Sequence, residues 1–164
     1  MRVSPIGFAF DRIELVLRES AQSAQVSHNH PEGIKGAQAT ALAVFFARTG
    51  YDKESIRKEL SVRFNYCLSH RVDEIRPRYH FDVSCQGTVP QAIVAFLDST
   101  DFEDAIRNAI SLGGDSDTLG CITGGIAQAY YWEIPKYIVS EVRNRLPEQF
   151  LQTIDEFEEQ FMTL

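Results

Sequence analysis

The sequence reads Gly113-Gly114-Asp115-Ser116-Asp117-Thr118 immediately before an apolar run, residues 119–131, that is rich in glycine and alanine. A glycine pair allows the backbone to turn sharply, and an apolar run of this length indicates a buried helix. The carboxylates of Asp115 and Asp117 and the hydroxyl of Thr118 therefore lie at the start of a helix. Hard cations such as Mg²⁺ prefer oxygen ligands of this kind. The stretch is a candidate metal site, with room beside the glycines for a ligand to approach.

The same stretch has a second interpretation, which is a simple helix cap. Asp, Ser and Thr are common at helix N-termini, where the helix dipole favours an acidic side chain. A cap needs one oxygen, however, whereas this segment supplies four oxygen-bearing side chains in succession. Both interpretations predict a helix start. Only the metal site requires the oxygens of Asp115, Asp117 and Thr118 to converge.

Composition limits the class of protein. The chain has 164 residues, of which 44% are hydrophobic and 24% charged, as in a soluble globular domain. Its net charge of −7 disfavours a nucleic acid or an anionic membrane as partner. No apolar run is long enough to cross a bilayer, and no signal peptide is evident. Cys67, Cys85 and Cys121 form no CxxC pair, so we expect neither disulfides nor a zinc site, and a cytoplasmic location.

Apolar residues recur at helical spacing through most of the chain. This pattern predicts an all-α fold of about seven or eight helices in a single domain, residues 1–164. Two segments lack this helical spacing of apolar residues. We expect residues 1–10 to be a loop and residues 68–83 to be irregular. In the last helix, the side chains predicted to face inward are Phe150, Leu151, Ile154, Phe157 and Phe161.

Several helix starts are predicted from capping residues. Asp52 and Asp101 each precede a helical pattern and are expected to act as N-caps. Thr88 is likewise predicted to cap a helix, with Pro90 in its first turn, where no amide donor is needed.

Three motifs together resemble the ADP-ribosylglycohydrolase family. They are the acidic stretch with its helix ending in Tyr130-Tyr131, the segment Ser27-His28-Asn29-His30-Pro31-Glu32-Gly33, and the segment Ser84-Cys85-Gln86-Gly87-Thr88-Val89-Pro90-Gln91-Ala92. The resemblance extends from Met1 to about Pro135, and it is the combination of motifs that makes it specific. It implies the orthogonal multi-helix bundle of that family, incomplete at its N-terminus, because a segment like residues 1–7 is internal in family members.

The resemblance also implies a chemistry. Family members hydrolyse the bond that joins ADP-ribose to a side chain or a small acceptor, with two Mg²⁺ ions that orient the ribose and activate water. The metal ligands carried over to this chain are Asp115, Asp117 and Thr118. The substrate-binding residues carried over are His28, Cys85, Gln86, Gly87 and Gly114. No residue is assigned a catalytic role.

One half of the family's metal ligands is missing. A Thr-Asp-Asp motif near the N-terminus supplies it in the family, and no Thr-Asp-Asp occurs in these 164 residues. We therefore expect the isolated chain to be impaired as an enzyme. Two hypotheses follow: a hydrolase completed by upstream residues or by another polypeptide, and an inactive helical remnant that acts as a binding module. We expect the missing segment to leave an exposed face, which a homodimer could cover.

Overall fold

The computed structural model describes residues 1–162, which form ten helices and no strand. The all-α prediction is therefore confirmed. In chain order the helices are α1 (Ser4–Ala9), α2 (Ile13–Gln25), α3 (Pro31–Arg48), α4 (Lys53–Phe64), α5 (Val72–Ile75), α6 (Cys85–Leu97), α7 (Phe102–Ser111), α8 (Ser116–Tyr131), α9 (Lys136–Arg143) and α10 (Glu148–Phe161). The predicted caps at Asp52 and Asp101 are confirmed, since each carboxylate accepts a hydrogen bond from an amide in the first turn of its helix.

Helix α3 lies at the centre of the fold. Its residues 39–47 are all buried, and α1, α2, α4, α6 and α8 pack around it. Alanine alternates with larger side chains at the start of the buried stretch, at Ala39, Ala41 and Ala43, so neighbouring helices can approach the α3 backbone there. A helix that is apolar on every side is stable only inside a core, and the sequence of α3 has this character.

Helix α8 packs against α3, α6 and α7 and also contacts α1. The contact with α1 depends on a glycine, because a Cβ atom built on Gly125 would lie 2.5 Å from the Ser4 hydroxyl oxygen. A larger residue at this position would push α1 away from the core. Close helix packing therefore explains Gly124 and Gly125 in the interior of α8, and it outweighs their low helix propensity.

Lys53 ties the start of α4 to the C-terminal ends of α6 and α8. Its ammonium group donates hydrogen bonds to the Phe96 carbonyl oxygen at 3.0 Å and the Tyr131 hydroxyl at 2.9 Å, and also to the Ser99 carbonyl oxygen. The ring of Tyr130 also faces this cation, at 5.5 Å from the ring centroid. Burial lowers the pKa of Lys53. The cation adds a charged donor to two carbonyl oxygens that also accept other hydrogen bonds, Phe96 from the Ser99 amide and Ser99 from the Tyr131 hydroxyl.

The prediction of a loop over residues 1–10 is wrong, because α1 forms there. Pro5 lies in the first turn of α1, where the missing amide costs no hydrogen bond. Gly7 then faces α3 so closely that an added Cβ would lie 2.6 Å from the Val44 Cβ atom. Phe8 is buried in the core. Tertiary contact with α3 stabilises this short helix, and six residues alone would not form one.

The predicted cap at Thr88 is also wrong. Helix α6 begins directly after Ser84, whose hydroxyl accepts a hydrogen bond from the Gly87 amide at 3.2 Å. Thr88 instead donates its hydroxyl to the Asp82 carbonyl oxygen at 3.0 Å. Pro90 consequently lies in the second turn of α6 and not in the first. The helix thus begins four residues earlier than the sequence predicts, with Ser84 as its cap.

Helices α9 and α10 lie at the periphery, and neither contains a fully buried residue. Phe157 of α10 contacts the ring of Phe8 edge-on at 6.4 Å, which attaches α10 to the core. Phe150 was predicted to face inward, but 53% of its surface is exposed, so that part of the prediction is wrong. Along residues 1–162, no helix combines the length and the apolar character needed to span a membrane.

Replacing Lys53 by methionine should lower the free energy of unfolding by about 2 kcal/mol, because it removes charge-assisted hydrogen bonds to two carbonyl oxygens and a tyrosine hydroxyl. Lys58→Met on the same helix provides the control, since Lys58 is exposed, and its effect should stay below about 0.5 kcal/mol. Urea denaturation of both variants measures the difference. Equal stability of the two variants would show that the Lys53 contacts contribute nothing.

Candidate functional site

A turn that contains two glycines connects α7 to α8. Gly113 and Gly114 both have positive φ, at 73° and 63°, a backbone region that strains other residues. Asp115 follows at the N-cap position of α8, yet its side chain makes no capping hydrogen bond. The simple cap interpretation therefore does not account for the Asp115 carboxylate. The turn leaves this carboxylate free to face a ligand.

The carboxyl groups of Asp115 and Asp117 lie within hydrogen-bonding reach of each other. A hydrogen bond with Asp115 is the largest cause that lowers the pKa of Asp117, followed by the backbone amide of Thr118, which donates to Asp117 Oδ1 at 2.9 Å. Neither carboxylate pairs with a basic side chain anywhere in residues 1–162. Two adjacent carboxylates without a basic partner form a local negative charge that a cation would neutralise.

A cavity of about 490 Å³ opens beside this turn. Segments that are distant in sequence contribute its polar wall: Arg2 before α1, His28 before α3, Ser84 and Cys85 at the start of α6, and Asp115 and Thr118 at the start of α8. Small residues of α3 make up much of its apolar wall and leave the space open. They are Gly33, Gly36 and Ala37. The cavity therefore exists because α3 is narrow where α6 and α8 begin.

Four of the predicted site residues are not part of the cavity wall. Asp117 and Gln86 are exposed side chains on the first turns of α8 and α6. Gly87 lies against Asp82, whose carboxylate oxygen would be 1.8 Å from an added Cβ. Gly114 lies in the turn before α8. The structure thus brings together His28, Cys85, Asp115 and Thr118 but not the whole predicted set, whose functional roles remain predictions.

The two histidines of the segment before α3 differ in position. His30 occupies the N-cap of α3, and its Nδ1 atom accepts a hydrogen bond from the Glu32 amide at 3.3 Å. His28 lies 2.8 Å from the Ser27 hydroxyl through its Nδ1 atom and lines the cavity. His30 is therefore structural, whereas the imidazole of His28 is exposed and available to a ligand.

Sequence reasoning missed Tyr79, which covers the two-glycine turn. An added Cβ on Gly114 would lie 2.9 Å from the Tyr79 ring. Burial raises the pKa of the Tyr79 hydroxyl, and the neighbouring Thr88 side chain lowers it in part, so the group stays protonated at neutral pH. Tyr79 belongs to an irregular segment without hydrophobic period, and no local signal marked it.

The potential metal ligands are few. Among residues 1–162, no three His, Cys, Asp or Glu side chains gather closely enough to hold a metal ion. The candidate set at the start of α8 contains two carboxylates and the Thr118 hydroxyl. Such a set can occupy only part of the octahedral shell that Mg²⁺ requires. The remaining ligands must be water, substrate or groups from elsewhere.

A comparison with protein-family models decides the family. The model described as ADP-ribosylglycohydrolase matches residues 1–163. This chain belongs to the ADP-ribosylglycohydrolase family. The resemblance of the three sequence motifs is thereby confirmed.

Relatives of this ADP-ribosylglycohydrolase chain are longer than the chain itself. An uncharacterized protein of Archaeoglobus fulgidus is 28% identical over 94% of the chain and 54% of its own length. ADP-ribosylhydrolase ARH3 of Mus musculus is 26% identical over 97% of the chain and 52% of its own length. A solved structure of an ADP-ribosylglycohydrolase-related protein complex has a TM-score of 0.65 and 28% identity over 79% of this chain and 48% of that one. The chain thus spans about half the length of these proteins.

Alanine at Gly114 should destabilise the chain more than alanine at Gly113. Both substitutions force a residue with a Cβ into the left-handed region, at a cost of about 1 kcal/mol. Only at Gly114 does the new Cβ also meet the Tyr79 ring, so we expect about 2 kcal/mol or more there. Urea denaturation measures both values. A larger loss for Gly113→Ala would contradict the assigned contact.

Proposed function

We propose that this chain binds ADP-ribose in the cavity between α3, α6 and α8. We further propose that it supplies one set of Mg²⁺ ligands, Asp115, Asp117 and Thr118, to the hydrolysis of the bond that links ADP-ribose to an acceptor. The observation that carries the proposal is the convergence of His28, Cys85, Asp115 and Thr118 on one cavity from segments far apart in sequence. Family membership and the similarity to ADP-ribosylhydrolase ARH3 support the same activity.

The residues at the start of α8 fit a Mg²⁺ ion in their chemistry. All three offer hard oxygen atoms, and the two neighbouring carboxylates have no basic partner within residues 1–162. When bound, Mg²⁺ would polarise oxygen atoms of the substrate and of water. Oxygen from the ligand and from solvent would complete the coordination shell.

The other walls of the cavity suit a nucleotide sugar. The N-terminus of α6 presents free backbone amides directly after Ser84, and such amides receive phosphate oxygens well. The His28 imidazole, which also lines the cavity, can donate or accept a hydrogen bond. The small residues of α3 leave space for the ligand.

A complete site with two Mg²⁺ ions needs further ligands. No Thr-Asp-Asp motif is present in the sequence, so another segment or polypeptide would supply it.

The three cysteines are unpaired, which supports a reducing compartment such as the cytoplasm. A homodimer stays a prediction. Of the two hypotheses, we favour half of a hydrolytic site over an inactive remnant, because the cavity and the oxygen cluster are both retained.

Mg²⁺ should strengthen ADP-ribose binding to the 164-residue protein by about tenfold, equivalent to about 1.4 kcal/mol. Replacement of Asp115 and Asp117 together by alanine should abolish this Mg²⁺ effect, because only the Thr118 hydroxyl remains as a ligand. Ser116→Ala, in the same turn, is the matched control and should keep it. Isothermal titration with and without Mg²⁺ measures all three proteins. A Mg²⁺ effect that survives in the double variant would refute the assigned ligands.

The chain by itself should not release ADP-ribose from an ADP-ribosylated peptide at a measurable rate. Charge that develops at the scissile bond needs both metal ions for its stabilisation, and this chain can hold at most one of them well. Incubation of the purified protein with peptide and Mg²⁺, followed by detection of free ADP-ribose, gives the answer. Release that Asp115→Ala abolishes would prove that half of the ligand set is sufficient.

A further inference from the structure

Arg2 is the one arginine or lysine, among residues 1–162, that lines the cavity. It lies in the segment before α1, and its neighbours Met1 and Val3 line the cavity as well. Val3 is only 2% exposed, and its carbonyl oxygen accepts a hydrogen bond from the Ile6 amide at 3.0 Å. These contacts fix the segment to α1 and to the core. The backbone that carries the Arg2 side chain is therefore held at the cavity wall.

The guanidinium group of Arg2 has no partner within residues 1–162, where it forms neither a hydrogen bond nor an ion pair. Most other arginines of the chain pair with a carboxylate, as Arg48 does with Asp11 at 2.9 Å and Arg143 with Asp155 at 2.7 Å. Acidic side chains are abundant in a chain with a net charge of −7, yet none of those described neutralises Arg2. Arg2 is exposed, so an anionic ligand can reach it without breaking a contact within the protein.

Opposite charges occupy separate parts of the cavity wall. Asp115 is the one acidic residue within 1–162 that lines the cavity, and Arg2 forms no ion pair with it. Such a wall suits a ligand with an anionic group at one place and neutral hydroxyl groups at another. ADP-ribose has this character, because its pyrophosphate carries the negative charge and its terminal ribose carries only hydroxyls.

A phosphate group suits Arg2 better than it suits Asp115. The guanidinium group presents its N–H groups in a planar fork that matches two oxygen atoms of a phosphate. A carboxylate repels a phosphate, and the negative charge of the whole chain opposes the binding of any anion. A cation in the wall of the cavity offsets this repulsion at the place where the anion binds.

We propose that Arg2 is a substrate-binding residue, whose guanidinium group binds the pyrophosphate of ADP-ribose. This inference rests on the proposed function, because it requires the cavity to bind ADP-ribose. It assigns a role to a residue that lies outside the three sequence motifs. It also separates two tasks in the cavity, since Arg2 binds the anionic part of the ligand while Asp115 remains available to Mg²⁺.

The test compares Arg2→Ala with Arg145→Ala, which remove the same charge from the chain. Arg145 is an exposed residue that follows α9 and does not line the cavity. Arg2→Ala should weaken ADP-ribose binding about tenfold, because it removes charge-assisted hydrogen bonds to phosphate. Arg145→Ala should bind like the wild type. Arg2→Lys should recover part of the loss, because an ammonium group keeps the charge but not the planar fork. Isothermal titration with ADP-ribose measures all four proteins.

Two further readouts distinguish phosphate binding from an indirect effect. The loss in Arg2→Ala should be the same with and without Mg²⁺, and the affinity of the wild type should fall more steeply with added NaCl than that of Arg2→Ala. In the ligand-free protein, the Tm of Arg2→Ala should stay within about 1 °C of the wild type, because the exposed side chain has no hydrogen bond or ion pair to lose.

Each other outcome has a definite meaning. Unchanged ADP-ribose affinity in Arg2→Ala would overturn the role of Arg2 and leave the proposed function intact. An equal loss in Arg145→Ala would mean that net charge explains the effect, and a loss confined to solutions with Mg²⁺ would mean that Arg2 acts through the metal. Either result, or a markedly lower Tm in Arg2→Ala, overturns the inference. If the wild type and Arg145→Ala both fail to bind ADP-ribose, the proposed function and this inference fall together.

Discussion

Residues 39–47 of α3 are buried on every side, and this burial determines where the other helices can lie. Small side chains let α1, α2, α4, α6 and α8 all approach one helix, which a row of leucines would prevent. The same property has a second effect at the other end of α3. There Gly33, Gly36 and Ala37 leave the space that forms the cavity. Core packing and the candidate site thus depend on one narrow helix.

The chemistry of the site depends on how helices begin. The cavity is bordered by the N-terminal ends of α3, α6 and α8, so free amides, capping side chains and carboxylates face a common space. Helix N-termini favour negative charge, which suits both a phosphate group and acidic side chains that hold a cation. Gly113 and Gly114 make this arrangement possible, because their positive φ values redirect the chain between α7 and α8.

Stability and ligand binding make opposite demands on a few residues here. Lys53 is an example of a residue that stabilises the fold, because its half-buried ammonium group donates hydrogen bonds to carbonyl and hydroxyl oxygens. Asp115 illustrates the other part, with a carboxylate at the start of α8 that makes no capping hydrogen bond. Groups left unsatisfied in this way are expected where a ligand supplies the missing partner.

The sequence by itself determined the helical class, the caps at Asp52 and Asp101, and the cluster of oxygens at the start of α8, because each depends on residues a few positions apart. It did not determine α1, which forms only against α3, or the choice of Ser84 over Thr88 as the cap of α6. Which motif residues reach the cavity was decided by tertiary structure alone. The cavity wall arises where α3, α6 and α8 meet, and local spacing carries no information about such contacts between distant segments.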